Sequence, residues 1–159
     1  MNLNDKVYIA GHKGLVGSAI VRQLKARGFT NLLMFTHDEL DLTNQAQVEV
    51  FFQQQKPDYV ILAAAKVGGI HANNTYPADF IRENLLINAN LIHASYENQA
   101  QRFLNLGSSC IYPRDAAQPL KEESLLTGPL ESTNAAYALA KIAGLEMCRH
   151  YRNQYGVLF

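Results

Sequence analysis

Tyr137 and Lys141 lie four residues apart in a stretch patterned as a helix, so both side chains project from one face. An unperturbed phenol titrates at about pH 10 and is a poor proton donor or acceptor at neutral pH. An ammonium group close by favours the phenolate and draws that pKa toward the working range. Ser108 falls just past the end of an expected strand and offers a hydroxyl that can hydrogen-bond a substrate oxygen. Together the three are the minimum set for reducing a ketone. Ser109 is the adjacent alternative. A Tyr-x-x-x-Lys pair also arises by chance, as a buried tyrosine beside a solvated lysine. Here a glycine loop, a strand-end serine and a long connection precede it in order, which favours the chemical reading.

The glycine loop is Gly11, Gly14 and Gly17, spaced G-x-x-G-x-x-G between an expected strand and an expected helix. The first glycine permits a tight turn, the second lets a pyrophosphate approach the backbone, and the third lets the helix lie close to the sheet. Gly11, His12, Lys13, Gly14, Leu15, Val16 and Gly17 are therefore candidate contacts to a dinucleotide. An acidic residue about twenty positions on favours NAD, and a basic one favours the 2′-phosphate of NADP. The segment Thr36-His37-Asp38 offers both signs, and Lys13 adds a positive charge, so the residues lean to NADP. Asp41 is placed to meet the adenine or, alternatively, to start the next helix.

These groups need a scaffold of short apolar runs alternating with longer amphipathic ones, the pattern of an α/β domain with a parallel sheet. Strands are expected at Val7–Ala10, Asn31–Phe35, Leu40–Leu42, Asp58–Ala63 and Phe103–Gly107. A helix from about Gly14 presents Val16, Ile20 and Leu24 on one face and stops at Gly28. A second runs from a Thr43 or Asn44 cap to Lys56, where Pro57 ends it. A third runs from Pro77 to about Asn98 and a fourth from Ala135 to about Asn153. Residues 108–133 are expected as a loop, of a length that usually carries function. Val157–Phe159 reads as a further strand cut off at its start. The expected fold is a Rossmann-like, doubly wound parallel sheet, incomplete at its last strands, within a single dinucleotide-binding domain over residues 1–159.

The 77–98 helix carries two apolar stripes. Phe80, Ile87, Leu91 and Ala94 form one; Ile81, Leu85, Ala89, Ile92 and Tyr96 form the other. Only one is expected to face its own sheet, so the second predicts a partner. The 135–153 helix offers Ala135, Ala138 and Gly144 for close approach by another helix.

Composition excludes several classes. Apolar residues make up 48% and charged residues 18% of the 159, an ordinary globular usage. Fourteen basic residues balance fourteen acidic ones, so no basic field exists to hold nucleic acid or an anionic membrane. No apolar run reaches spanning length, and no leader segment is expected from the pattern of the first residues. Cys110 and Cys148 are the only cysteines, which excludes a disulfide framework and suits the cytoplasm. The five histidines lack metal-ligand spacing. Lys66 is a candidate for the cleft wall or a solvated lysine.

The glycine loop, Ser108 and Tyr137/Lys141, in this order, resemble the extended short-chain dehydrogenase/reductases. Three longer strings narrow the likeness: Ala63-Ala64-Ala65-Lys66-Val67-Gly68-Gly69-Ile70, Asn73-Asn74-Thr75-Tyr76-Pro77-Ala78-Asp79-Phe80, and Gly107-Ser108-Ser109-Cys110-Ile111-Tyr112-Pro113. With them the chain resembles the GDP-L-fucose synthases along nearly its whole length. The resemblance implies a GDP-sugar substrate, GDP-4-keto-6-deoxy-D-mannose. It is epimerised at C3 and C5 and then reduced at C4 by NADPH. It implies that Ser108 and Tyr137 activate the carbonyl, that Lys141 binds the nicotinamide ribose and tunes the tyrosine, and that Cys110 is an epimerisation acid/base. Without the resemblance, Cys110 would read as inert core, as Cys148 does. It further implies a homodimer through the 77–98 and 135–153 helices, and a substrate-binding part beyond Phe159. Two other readings stay open: a related nucleotide-sugar epimerase or dehydratase using NAD, and a non-catalytic dinucleotide-binding fragment.

Overall fold

The computed structural model describes residues 1–159. Strands β1 (Val7–Ala10), β2 (Leu32–Leu33), β3 (Tyr59–Leu62) and β4 (Arg102–Asn105) pair in parallel in the order β2-β1-β3-β4. The helices are α1 (Leu15–Ala26), α2 (Gln45–Gln55), α3 (Ile70–Thr75), α4 (Pro77–Glu97) and α5 (Ala135–Tyr155). Alternation along β1 sends Val7 and Ile9 to one face of the sheet, where Ile20, Val21 and Leu24 of α1 cover them. Tyr8 and Ala10 face the other way, into the larger core beneath α2 and α4. With helices on both faces, this is the Rossmann-like architecture that the alternating pattern predicts.

Several local signals act as expected. Asn44 caps α2, accepting from the Gln47 N–H, and Lys56 ends it in the left-handed region before Pro57. Gly28, at φ +88°, follows α1. Pro77 opens α4, and Gly156, at φ +71°, closes α5. Leu158 makes a parallel bridge to Arg102 at the free edge of β4.

Other expectations fail. No strand forms at Leu40–Leu42, and β2 shrinks to two residues. From Thr36 the backbone curls instead: its carbonyl accepts from the N–H groups of Glu39 and Leu40. The Glu39 carboxylate accepts from the Thr36 N–H at 2.7 Å and its hydroxyl at 2.8 Å. Asp41 then accepts from both the amide and the hydroxyl of Thr43. Backbone committed to local partners cannot join a ladder. Val16, at 51% exposed, lies outside the face that buries Ile20 and Leu24. Helix α3 was not foreseen, and the long connection contains three short 3-10 turns, at Ser109–Ile111, Glu122–Ser124 and Ser132–Asn134.

The second stripe of α4 is also corrected. Helix α5 packs along α4 and covers much of it: Ile92 is fully buried, and Tyr96 stacks on Tyr155. Of that stripe only Leu85 counts as exposed. Close approach of the two helices comes from Gly144, where an added Cβ would lie 2.6 Å from the Asn88 side-chain carbon. Asn88, itself buried, donates to the Ala140 carbonyl at 3.0 Å. Gly144→Ala is therefore expected to destabilise the fold by about 2 kcal/mol, through overpacking against this amide. Gly69→Ala, which meets nothing within 4 Å, is the control and should shift urea-unfolding stability by about 0.5 kcal/mol or less.

Candidate active site

The segments that follow β1, β2 and β3 border one cleft at the C-terminal end of the sheet, where open α/β sheets bind their ligands. Gly11 follows β1 at φ +84°, and an added Cβ there would lie 2.6 Å from the Ala64 backbone nitrogen. At Gly17 the same atom would lie 2.1 Å from the Gly11 carbonyl oxygen. Two of the three glycines thus pin β1, α1 and the segment after β3 together. Gly14 is the N-cap of α1 and supplies no side-chain cap, while Leu15 and Val16 stand exposed at that first turn. The N-terminal N–H groups of a twelve-residue helix are left without a side-chain acceptor, an arrangement that fits a dinucleotide's phosphates.

The cleft, of about 550 Å³, is bordered by the glycine loop with His12 and Lys13, the segment Phe35–Thr43, and Ala64-Ala65-Lys66. His12 Nδ1 is buried without a partner. His37 lies 3.9 Å from Asp41, and Lys13 lies near enough to Glu39 to help depress its carboxyl. Hydrogen bonds from Thr36 are the main cause of that depression. For Asp41, burial pushes the carboxyl upward, but bonds from Thr43 and the nearby His37 together hold it low. Lys66 pairs with Glu83 rather than standing solvated, and that hydrogen bond raises its pKa.

The other cluster lies where α5 packs on the 109–111 turn after β4. Ser108 accepts a hydrogen bond from the Cys110 thiol at 3.2 Å. Lys141 is 6% exposed, and its Nζ donates to the Leu106 carbonyl at 3.0 Å. The same nitrogen lies 5.9 Å from the centre of the Tyr137 ring. The structure thus brings Ser108, Cys110, Tyr137 and Lys141 into one neighbourhood. It does not show the expected depression of the phenol. Burial, and then the charge of Cys110, raises the Tyr137 pKa, while burial lowers that of Lys141 against the pull of Cys110.

The profile of the "NAD dependent epimerase/dehydratase family" matches residues 7–159. The chain belongs to that family. It is 65% identical over 151 residues to GDP-L-fucose synthase 1 of Arabidopsis thaliana, covering 95% of this chain and 47% of that protein. It is 56% identical over 152 residues to the GDP-L-fucose synthase of Escherichia coli (strain K12), covering 96% and 47%. Among solved structures it is similar to a GDP-D-glycero-L-gluco-heptose synthase from Campylobacter jejuni, determined in the presence of NADPH. That match has a TM-score of 0.96 and 48% identity, covering 99% of this chain and 46% of the other. The chain thus spans about half the length of the curated relatives it matches. No helix is long and apolar enough to cross a membrane.

Sequence reasoning missed Thr36, Glu39 and Glu83. The Thr-x-x-Glu spacing of a capping box was available for the first two; nothing local signals Glu83. The two thiols differ in setting. Cys110 is half-buried beside Ser108, whereas burial pushes the Cys148 thiol up to about 11. Iodoacetamide at about pH 8 should therefore label Cys110 and spare Cys148 in the folded chain, as read by peptide mass mapping. Equal labelling would take Cys148 out of the core.

Proposed function

We propose that this chain is the dinucleotide-binding half of an enzyme that converts GDP-4-keto-6-deoxy-D-mannose to GDP-L-fucose. The observation that carries the reading is the thiol of Cys110 donating to the Ser108 hydroxyl in the neighbourhood of Tyr137 and Lys141. A ketone polarised by Ser108 and Tyr137 has acidic flanking protons, and the thiolate of Cys110 is a base within reach of them. The phenol of Tyr137 is the group that delivers a proton to the C4 oxygen. Bound NADPH supplies the hydride. Lys141 holds the end of β4 through Leu106 and offers its remaining N–H donors toward the nicotinamide ribose.

The phosphates would lie on the bare N-terminus of α1 at Gly11, Gly14 and Gly17, with Lys13 and His37 toward the 2′-phosphate and Asp41 toward the adenine. The positive charge of Lys13 and the solved heptose synthase's NADPH both support NADP. The names of the curated relatives support the GDP-sugar. Leu85 of α4 and Leu139 of α5, both exposed, support pairing of two copies through these helices. The two free cysteines suit the cytoplasm.

Calorimetric titration of the folded chain is expected to show NADPH binding more tightly than NADH. Equal or reversed affinity would remove the NADP assignment. In a full-length protein carrying this half, Cys110→Ser should suppress solvent-deuterium exchange at C3 and C5 by about a hundredfold or more, the scale of a lost general base. Tyr137→Phe should chiefly slow hydride transfer. Isotope exchange at the wild-type rate in Cys110→Ser would return that cysteine to a structural role.

A further inference from the structure

Ile87 of α4 borders the cleft. Asn84 and Asn90 lie three residues to either side of it, about 60° to its left and right around the helix and roughly 9 Å apart along the axis. Both are buried, at 2% and 8% exposure. Asn84 Oδ1 accepts from the Lys66 N–H at 2.9 Å, and its Nδ2 donates to the carbonyls of Lys66 at 3.0 Å and Phe80 at 2.8 Å. Its amide offers Lys66 the donor and acceptor that a neighbouring strand would, four residues after β3 stops. Asn90 Nδ2 donates to the Leu42 carbonyl at 2.9 Å.

Lys66 and Leu42 belong to opposite walls of the cleft, the segments that follow β3 and β2. Strand pairing ends at Leu62 in one and Leu33 in the other, so neither wall is held by a ladder. A buried amide is costly to leave unpaired, which ties each wall to one position on the helix. Two walls fixed to one rigid helix have a fixed separation.

We propose that Asn84 and Asn90 are positioning residues that set the width of the dinucleotide cleft, each anchoring one wall to α4. The inference rests on the dinucleotide reading of that cleft. Neither residue borders the cleft itself; they act through Lys66 and Leu42.

Backbone amide exchange and NADPH fluorescence titration test it on the wild-type chain and on Asn84→Ala, Asn90→Ala and Ser95→Ala. Ser95 is also fully buried on α4 but bonds only its own helix, at the Leu91 carbonyl, away from the cleft. In Asn84→Ala the Lys66 amide should exchange at least about tenfold faster. In both asparagine variants the NADPH dissociation constant should rise about tenfold, with Ser95→Ala within about twofold of wild type. Unchanged Lys66 exchange in Asn84→Ala, or NADPH affinity within about twofold of wild type in both asparagine variants, overturns the inference. If the variants do not fold, the wild-type chain decides. Protection of its Lys66 amide supports the anchor, and exchange as fast as in an unstructured peptide overturns it. A wild-type chain that binds no dinucleotide defeats the functional reading by itself, and Lys66 exchange then decides the anchoring.

Discussion

The cleft depends on how closely three pieces of backbone meet around Gly11. The turn after β1, the segment after β3 and the first turn of α1 come together with no room for a side chain at Gly11 or Gly17. That contact aims the uncapped end of α1 at the mouth of the sheet and sets the floor of the cleft. The side chains around it then need only small adjustments to face a ligand. Parallel strands buried on their inner faces supply the stiffness, and Tyr8 of β1 interlocks with Phe51 and Phe52 of α2 in the core between sheet and helix.

Polar groups inside this core do what the strands leave undone. Helix α4 buries Asn84, Asn88 and Asn90 along one long helix, and each amide reaches a different neighbour: the segment after β3, helix α5 and the segment after β2. Buried amides are tolerated because each finds its partner, and a satisfied buried network specifies one arrangement more sharply than apolar packing does. Lys141 follows the same logic. Its ammonium is held in low-dielectric surroundings by the Leu106 carbonyl, so the residue ties α5 to the end of β4 while standing beside Tyr137.

Much of this was legible from residues alone because the signals were local. Asn44 before an apolar run, Pro57 after Lys56, and glycines at 11, 14 and 17 each force a backbone outcome within a few positions. The strand expected at Leu40–Leu42 failed because Thr36 with Glu39, and Asp41 with Thr43, engage backbone groups locally; two successive local motifs outweighed a short apolar run. The partner of the second α4 stripe was illegible for another reason. Periodicity shows that Ile92 and Tyr96 need cover, but only tertiary structure shows that α5 provides it. The Tyr137 phenol departs from expectation because four-residue spacing places Lys141 beside it but does not show how deeply the ring is buried, and that burial raises its pKa.

Two crowded glycines, Gly17 and Gly144, differ in what crowds them, and that difference has an evolutionary meaning. At Gly17 the obstructing atom is a backbone oxygen, which every amino acid at position 11 would present. No second substitution can make room, so position 17 should be invariant among chains that keep this loop. At Gly144 the obstruction is the Asn88 side chain, which selection can exchange. Positions 88 and 144 are thus free to drift as a pair, the smaller residue passing from one helix to the other, and their covariation across relatives would record how closely α4 and α5 approach.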